Sequence, residues 1–261
     1  IKPDYAEAAF NKGNGLKDQG YLNQAIAAFR KAFSLKPDYV DAIYNIANSY
    51  KDQAKHEKAV TAYKETLALS PSHVDAHNNL GNVLMKQGKL NAAIDSYKKA
   101  LSLKPDFVGA LNNLGNCLKD QGSLDAAIVE YQKALALDPN YAVTHNNIGA
   151  AFYEQGKFKE AIASYENALS LKADFTDAYN NLGNALKDEG KLEAAVASYK
   201  KALSLDPRHA ISYRQLGLLI KYERDNPHFE QVKALLGEPD LPDDDRCHLL
   251  FAYAKMSEDI G

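Results

Sequence analysis

The chain of 261 residues has no Trp, two Met and two Cys. Cys117 and Cys247 lie far apart and in no C-x-x-C spacing, which excludes a disulfide scaffold and fits a reducing, cytoplasmic setting. Charge of one sign is also lacking. Lys and Arg number 31 against 34 Asp and Glu, a net charge of −3 without the basic excess of a nucleic-acid binder. No apolar run approaches the roughly 20 residues of a membrane helix, so neither nucleic acid nor membrane is an expected partner. Chemical motifs are missing as well. Gly13-Asn14-Gly15 completes neither a P-loop nor a dinucleotide fingerprint, and neither H-E-x-x-H nor paired C-x-x-C occurs. No catalytic constellation, metal site or cofactor is expected within this chain. His77 and His145 share a repeat position and read as packing residues, and Cys117 as a small core residue. With Ile1 in place of Met and no signal-peptide pattern, the chain reads as a piece of a longer protein.

What is present is a period. Pro3, Pro37, Pro71, Pro105 and Pro139 recur every 34 residues, Ala173 takes the next slot, and Pro207 follows. Gly13, Gly81, Gly115, Gly149, Gly183 and Gly217 keep the same step with Ala47 in the gap, as do Gly20, Gly88, Gly122, Gly156 and Gly190 with Ala54. A repeat of this length marks a solenoid or propeller and overrides domain counting by length. Counting places from Ala6, each unit reads as two helices. In residues 74–107 the stripe His77, Leu80, Gly81, Leu84 follows i, i+3, i+4, i+7, Gly88 breaks the chain, and Leu90, Ala93, Ile94, Tyr97, Ala100, Leu101 form a second stripe that stops before Pro105. Small residues at places eight and twenty let two helix axes approach, and the aromatic at place twenty-four (Phe29, Tyr63, Tyr97, Tyr131, Tyr165, Tyr199) fills the space between units.

This constellation resembles the tetratricopeptide repeat over six units, residues 6–209, with a seventh first helix expected over Ala210–Tyr222. The resemblance implies an all-α fold, a right-handed superhelical α-solenoid of antiparallel helix pairs whose first helices line a concave groove. Two segments are expected: the array, residues 6–222, and an acidic tail, residues 223–261, whose charge of −6 is set against +3 on the array.

On the first helices, places two, six, nine and thirteen fall opposite the core stripe at 100° per residue. Place six is Asn without exception: Asn11, Asn45, Asn79, Asn113, Asn147 and Asn181. Place nine is Asn14, Asn48, Asn82, Asn116 and Asn184, with Ala150 the departure, and acids such as Asp41, Asp75, Asp120 and Asp188 flank them. Asn costs up to roughly 0.7 kcal/mol relative to Ala inside a helix, so a compensating role is expected. One carboxamide can accept from a peptide N–H while donating to a peptide C=O. Such a ladder suits an extended polypeptide and is largely blind to its sequence. The competing reading is that these amides bond the adjacent unit.

Asp177-Ala178-Tyr179-Asn180-Asn181-Leu182-Gly183-Asn184-Ala185-Leu186-Lys187 and Lys104-Pro105-Asp106-Phe107 resemble the repeat arm of the intracellular O-linked N-acetylglucosamine transferases. That resemblance implies that the sixth-place asparagines hold a polypeptide backbone and that the chain is the recognition arm of a larger transferase. The alternative is a free-standing scaffold that self-associates. The Lys/Asn/Arg clamp of chaperone-docking repeats is missing except for Arg214. In the tail, a short helix over residues 227–236 closed by Gly237 is expected, then one from Asp243 that packs Leu249, Leu250, Tyr253 and Met256 on the last unit as a cap. The stretch Leu249–Lys255 and Asp259-Ile260-Gly261 resembles the junction of bacterial proteins joining such repeats to a sulfotransferase domain.

Overall fold

The computed structural model describes residues 3–223 and 226–261, which form fifteen α-helices and no strand. They fall into two compact units, 1–137 and 138–261. In the first unit, first helices α1 (Pro3–Asp18), α3 (Val40–Asp52), α5 (Val74–Lys86) and α7 (Val108–Asp120) alternate with second helices α2 (Leu22–Leu35), α4 (His56–Leu69), α6 (Leu90–Leu103) and α8 (Leu124–Leu137). Each first helix packs on its own second helix, and α2, α4 and α6 pack on α3, α5 and α7. The second unit continues as α9 (Ala142–Glu154), α10 (Phe158–Leu171), α11 (Thr176–Asp188), α12 (Leu192–Leu205) and α13 (Ala210–Gly217), then α14 (Pro227–Leu236) and α15 (Asp243–Ile260).

The phased glycines have two distinct causes. At place fifteen the chain leaves the first helix left-handed: Gly88 has φ +70°, its N–H donates to the Met85 carbonyl, and Lys89 N–H closes on the Leu84 carbonyl. This is the Schellman end of a helix, where a side chain is strained. Ala54, at φ 55°, makes the same turn and bears that strain. At place eight the reason is contact between the helices of one pair. A Cβ on Gly81 would lie 2.6 Å from the ring of Tyr97, and one on Gly183 2.5 Å from that of Tyr199. The aromatics at place twenty-four are fully or almost fully buried against these bare backbones, with Phe29, Tyr63, Tyr97, Tyr131 and Tyr199 at 0% exposure. Cys117 is buried, and burial pushes its thiol up to about 11. His77 and His145 do more than pack. Each ring Nε2 lies 2.9 Å from the carbonyl of the proline opening its inter-unit turn, Pro71 or Pro139.

The end of the chain departs from the expected pattern. The seventh first helix stops at Gly217, not at Tyr222. Tyr222, 2% exposed, folds back beside Gly217, though less closely than the second-helix aromatics of earlier units: a Cβ on Gly217 would lie 3.7 Å from its ring, against 2.6 Å for Gly81 and Tyr97. The predicted tail helices form as α14 and α15. Leu250, however, is 52% exposed and does not join the packing; Leu249, Ala252 and Met256 are the buried residues.

His228, on α14, sits edge-on to Tyr213 and Tyr222 with its Nδ1 buried and unpartnered. Burial, then the charge of Lys200, holds its pKa below the usual histidine value of 6.5. The unfolded chain therefore binds the proton more readily. The contribution is full above about pH 6.5 and is lost as pH falls toward the folded-state value. The thermal midpoint is expected to drop between about pH 7.5 and 5.5, and His228→Phe should flatten that drop. An unchanged slope in calorimetry would count against this role.

Candidate functional site: the polar face of the first helices

The fifteen asparagine and acid positions read from the sequence do lie along one face of the first helices, but their exposure differs. Asp41, Asp75, Asp120, Asp188 and Asn11 are exposed. Asn14, Asn45, Asn79, Asn82, Asn113, Asn116, Asn147, Asn181 and Asn184 are half-buried, and Asn48 is buried. Two of the acids are offset by place-twelve lysines: Lys119 Nζ lies 3.1 Å from Asp120, and Lys187 Nζ 3.9 Å from Asp188. Asp188 also accepts from Tyr153 Oη at 2.5 Å.

Place nine is tied to the aromatic of its own unit. Tyr63 Oη donates to Asn48 Oδ1 at 2.6 Å, Tyr97 to Asn82 and Tyr131 to Asn116 at 2.7 Å, and Tyr199 to Asn184 at 2.8 Å. Burial raises the Tyr97 hydroxyl pKa far above its usual value, so it remains a donor. In the first unit Phe29 stands at place twenty-four, and Asn14 has no hydroxyl to meet. Place six reaches back one unit. Asn79 Nδ2 donates to Tyr44 Oη at 2.9 Å and Asn48 Oδ1 at 3.2 Å. Asn113 Nδ2 donates to Asn82 Oδ1 at 3.0 Å and more weakly to Asn78 Oδ1 at 3.4 Å. In the second unit Asn181 Nδ2 donates to Asn146 Oδ1 at 3.1 Å. Asn45 bonds within its own helix, to the Asp41 carbonyl at 3.0 Å.

Each of Asn48 and Asn82 thus presents one oxygen to two donors, a tyrosine of its own unit and an asparagine of the next. This satisfies buried groups that would otherwise cost about 1–3 kcal/mol each. It also removes the premise that a single place-six amide is free to donate and accept at once. In Asn79 and Asn113 both N–H bonds are engaged by the preceding unit. What unit three leaves without a short hydrogen bond is divided: the Asn79 Oδ1, and the Asn82 Nδ2 one helical turn on. Asn79 Oδ1 receives only long contacts, from Asn78 Nδ2 and Asn82 Nδ2, each at 3.4 Å.

Two further features escaped a count along helix faces. Place-fourteen glutamines cross to the preceding unit: Gln53 Nε2 donates to Asn23 Oδ1 at 2.9 Å, Gln87 to Glu57 Oε1 at 2.8 Å, and Gln121 to Asn91 Oδ1 at 2.7 Å. Asp177, His209 and Ser212 form an acid–imidazole–hydroxyl series, with His209 Nε2 3.3 Å from Asp177 and Nδ1 2.7 Å from Ser212 Oγ. Its hydrogen bond to His209 holds the Asp177 carboxyl below its usual pKa. Ser212 has 0% exposure and donates to Asn180 at 3.2 Å, so its oxygen closes the start of α13 and faces no substrate. Among the described residues no group of three or more His, Cys, Asp or Glu is placed to hold a metal, and no helix is long and apolar enough to cross a membrane.

Helix pairs stacked at a 34-residue period, with a polar face on every first helix, define a helical-repeat protein-binding module. Family models described as TPR repeat match residues 13–53, 47–88, 81–122, 115–156 and 149–188, and one described as tetratricopeptide repeat matches residues 176–209. The chain belongs to the tetratricopeptide repeat family. No curated protein matches it. Among solved structures, MamA is similar at 30% identity over 66% of this chain and 93% of MamA, with a TM-score of 0.57. YrrB, described as a TPR protein with an unusual peptide-binding site, is 24% identical over 71% of this chain and 95% of its own, with a TM-score of 0.57. PilF of Pseudomonas aeruginosa is 19% identical over 82% of this chain and 97% of its own, with a TM-score of 0.71. The last two likenesses bear on the fold alone.

Proposed function

We propose that the first-helix face holds an extended polypeptide by its backbone, as the recognition arm of a larger intracellular transferase. The transferase context is supported by the resemblance of residues 177–187 and 104–107 to a glycosyltransferase arm. The peptide reading is carried by the divided asparagine pair. Place six offers an acceptor and place nine a donor, and a peptide unit needs one of each. Packed helices about 8–10 Å apart bring a new pair every three residues or so of a chain advancing about 3.3–3.6 Å per residue.

The division supplies a clean test. Asn→Ala at place six would loosen the contact between units as well as any ligand. Asn82→Asp with Asn116→Asp keeps the oxygen that receives Tyr97 or Tyr131 and removes the outward N–H donor. The double variant is expected to unfold within about 1 kcal/mol of the parent, yet to bind unstructured peptides about tenfold or more weakly. Unaltered peptide affinity in fluorescence anisotropy would sink the backbone-grip reading.

A further inference from the structure

The asparagine face changes chemistry where the array ends. On α13 and at its C-cap, places two, six and nine are Ile211, Gln215 and Leu218, and place five, Asn in units three to six, is Arg214. Ile211 is 37% exposed and Leu218 51%. The α13 helix is bound into the same face as its predecessor: Ser212 donates to Asn180 of α11, and Lys187 of α11 reaches Gln215 at 3.3 Å.

Because α13 has no second helix of its own, α15 packs directly on it. Its buried residues Leu249 and Ala252 are three apart, the spacing of the buried places seven and ten in the repeats, such as Leu80 and Val83. In that register His248 stands at place six and Phe251 at place nine. The contacts agree. Arg214 Nη1 lies 3.3 Å from His248 Nδ1, a place-five to place-six pairing like Asn78 with Asn113, and the guanidinium stacks 5.0 Å over the ring of Phe251. Phe251 is nevertheless 44% exposed.

Among the described residues of this unit, Lys157, Lys191, Lys200, Lys201 and Lys233 meet no carboxylate but are exposed, whereas Arg214 meets none and is partly covered. Arg208 pairs with the Glu238 carboxylate, and Arg246 donates to the Leu236 and Glu238 carbonyls. Lys187 and Lys255 lie beside Asp188 and Asp259. Arg214 is half-buried, its Nε is covered and unpartnered, and its neighbours are an imidazole nitrogen and an aromatic face. A covered guanidinium N–H without an acceptor is costly, and a planar guanidinium held by stacking is pre-set for a carboxylate.

We propose that α13 and α15 form a side-chain-reading end of the peptide face: Arg214 takes a carboxylate of the bound polypeptide, and Ile211, Leu218 and Phe251 take an apolar residue beside it. The proposal rests on the peptide reading above and adds register to it. Backbone contacts alone let a chain slide, whereas one anchored carboxylate fixes where it stops.

The probe is a fluorescein-labelled peptide of alternating Ser and Ala with a Leu-Glu pair at its C-terminal end. It is compared with its Leu-Gln counterpart, each with a free or an amidated terminus. Native protein is expected to bind the carboxylate-bearing forms about tenfold more tightly than the amidated Leu-Gln form. The two singly charged peptides tell a side-chain carboxylate from a terminal one. Arg214→Gln should abolish the preference without weakening the neutral peptide. Arg214→Lys, which keeps charge but not the fork, should retain part of it. Equal binding of all four peptides, or a preference that survives Arg214→Gln, overturns the anchor and leaves the backbone grip standing. Failure of all four to bind native protein overturns both.

Discussion

Tyr97→Ala is expected to destabilise the protein by about 3–5 kcal/mol, the range for removing a large aromatic from a core. The ring has 0% exposure and is seated on the bare backbone of Gly81, so on that side no side chain stands ready to refill the hole. The hydroxyl adds a second loss. Tyr97 Oη donates to the Asn82 oxygen that also receives Asn113, so one truncation disturbs the bond within its unit and the seam to the next. Tyr97→Phe separates the two effects. It keeps the packing and removes one hydrogen bond, at about 1–2 kcal/mol; Phe29 shows that a unit forms without the hydroxyl. Urea unfolding followed by circular dichroism measures both. An Ala variant costing no more than the Phe variant would show that packing against glycine is not the main contribution.

Tyr222→Ala should act as strongly but locally, with a cost of about 3 kcal/mol or more confined to the last helices. Tyr222 stands in for a missing second helix. Its ring covers Gly217, and its backbone N–H donates to Asp259 at 3.1 Å, joining the end of α13 to the end of α15. Losing the ring uncovers Tyr213 and Leu216, which are both fully buried. Units in such arrays depend mainly on their neighbours, so hydrogen exchange should show amide protection collapsing in α13–α15 while α3–α6 remain as before. Uniform loss along the chain would contradict a local role.

The helix pairs, their breaks at Gly20, Gly88 and their equivalents, and the two tail helices were legible because period, glycine conformation and proline are local signals. The asparagine face was legible as a face. Its bonding was not, since the partners lie 15 residues on in the second helix or 31 and 35 residues back in the preceding unit. Counting angles around one helix cannot see them. The early stop of α13 was hidden for a related reason. Tyr213, Leu216 and Ile220 continue a helical stripe, but the space beside Gly217 is filled by Tyr222 from a turn. Leu250 misled because apolar periodicity does not distinguish the covered side of a final helix from its open side.

Ala150 gives the array a grain. Where units three and four share the oxygen of Asn82, unit five has no place-nine oxygen to share, and Asn181 donates to Asn146 alone of the two places its equivalents use. In a one-dimensional chain of coupled units, the junction with the smallest coupling energy is where the boundary between ordered and molten segments comes to rest. The junction between units five and six is not left weak in this way, because Tyr153 Oη on α9 donates to Asp188 on α11 and couples the two units where the shared amide oxygen is missing.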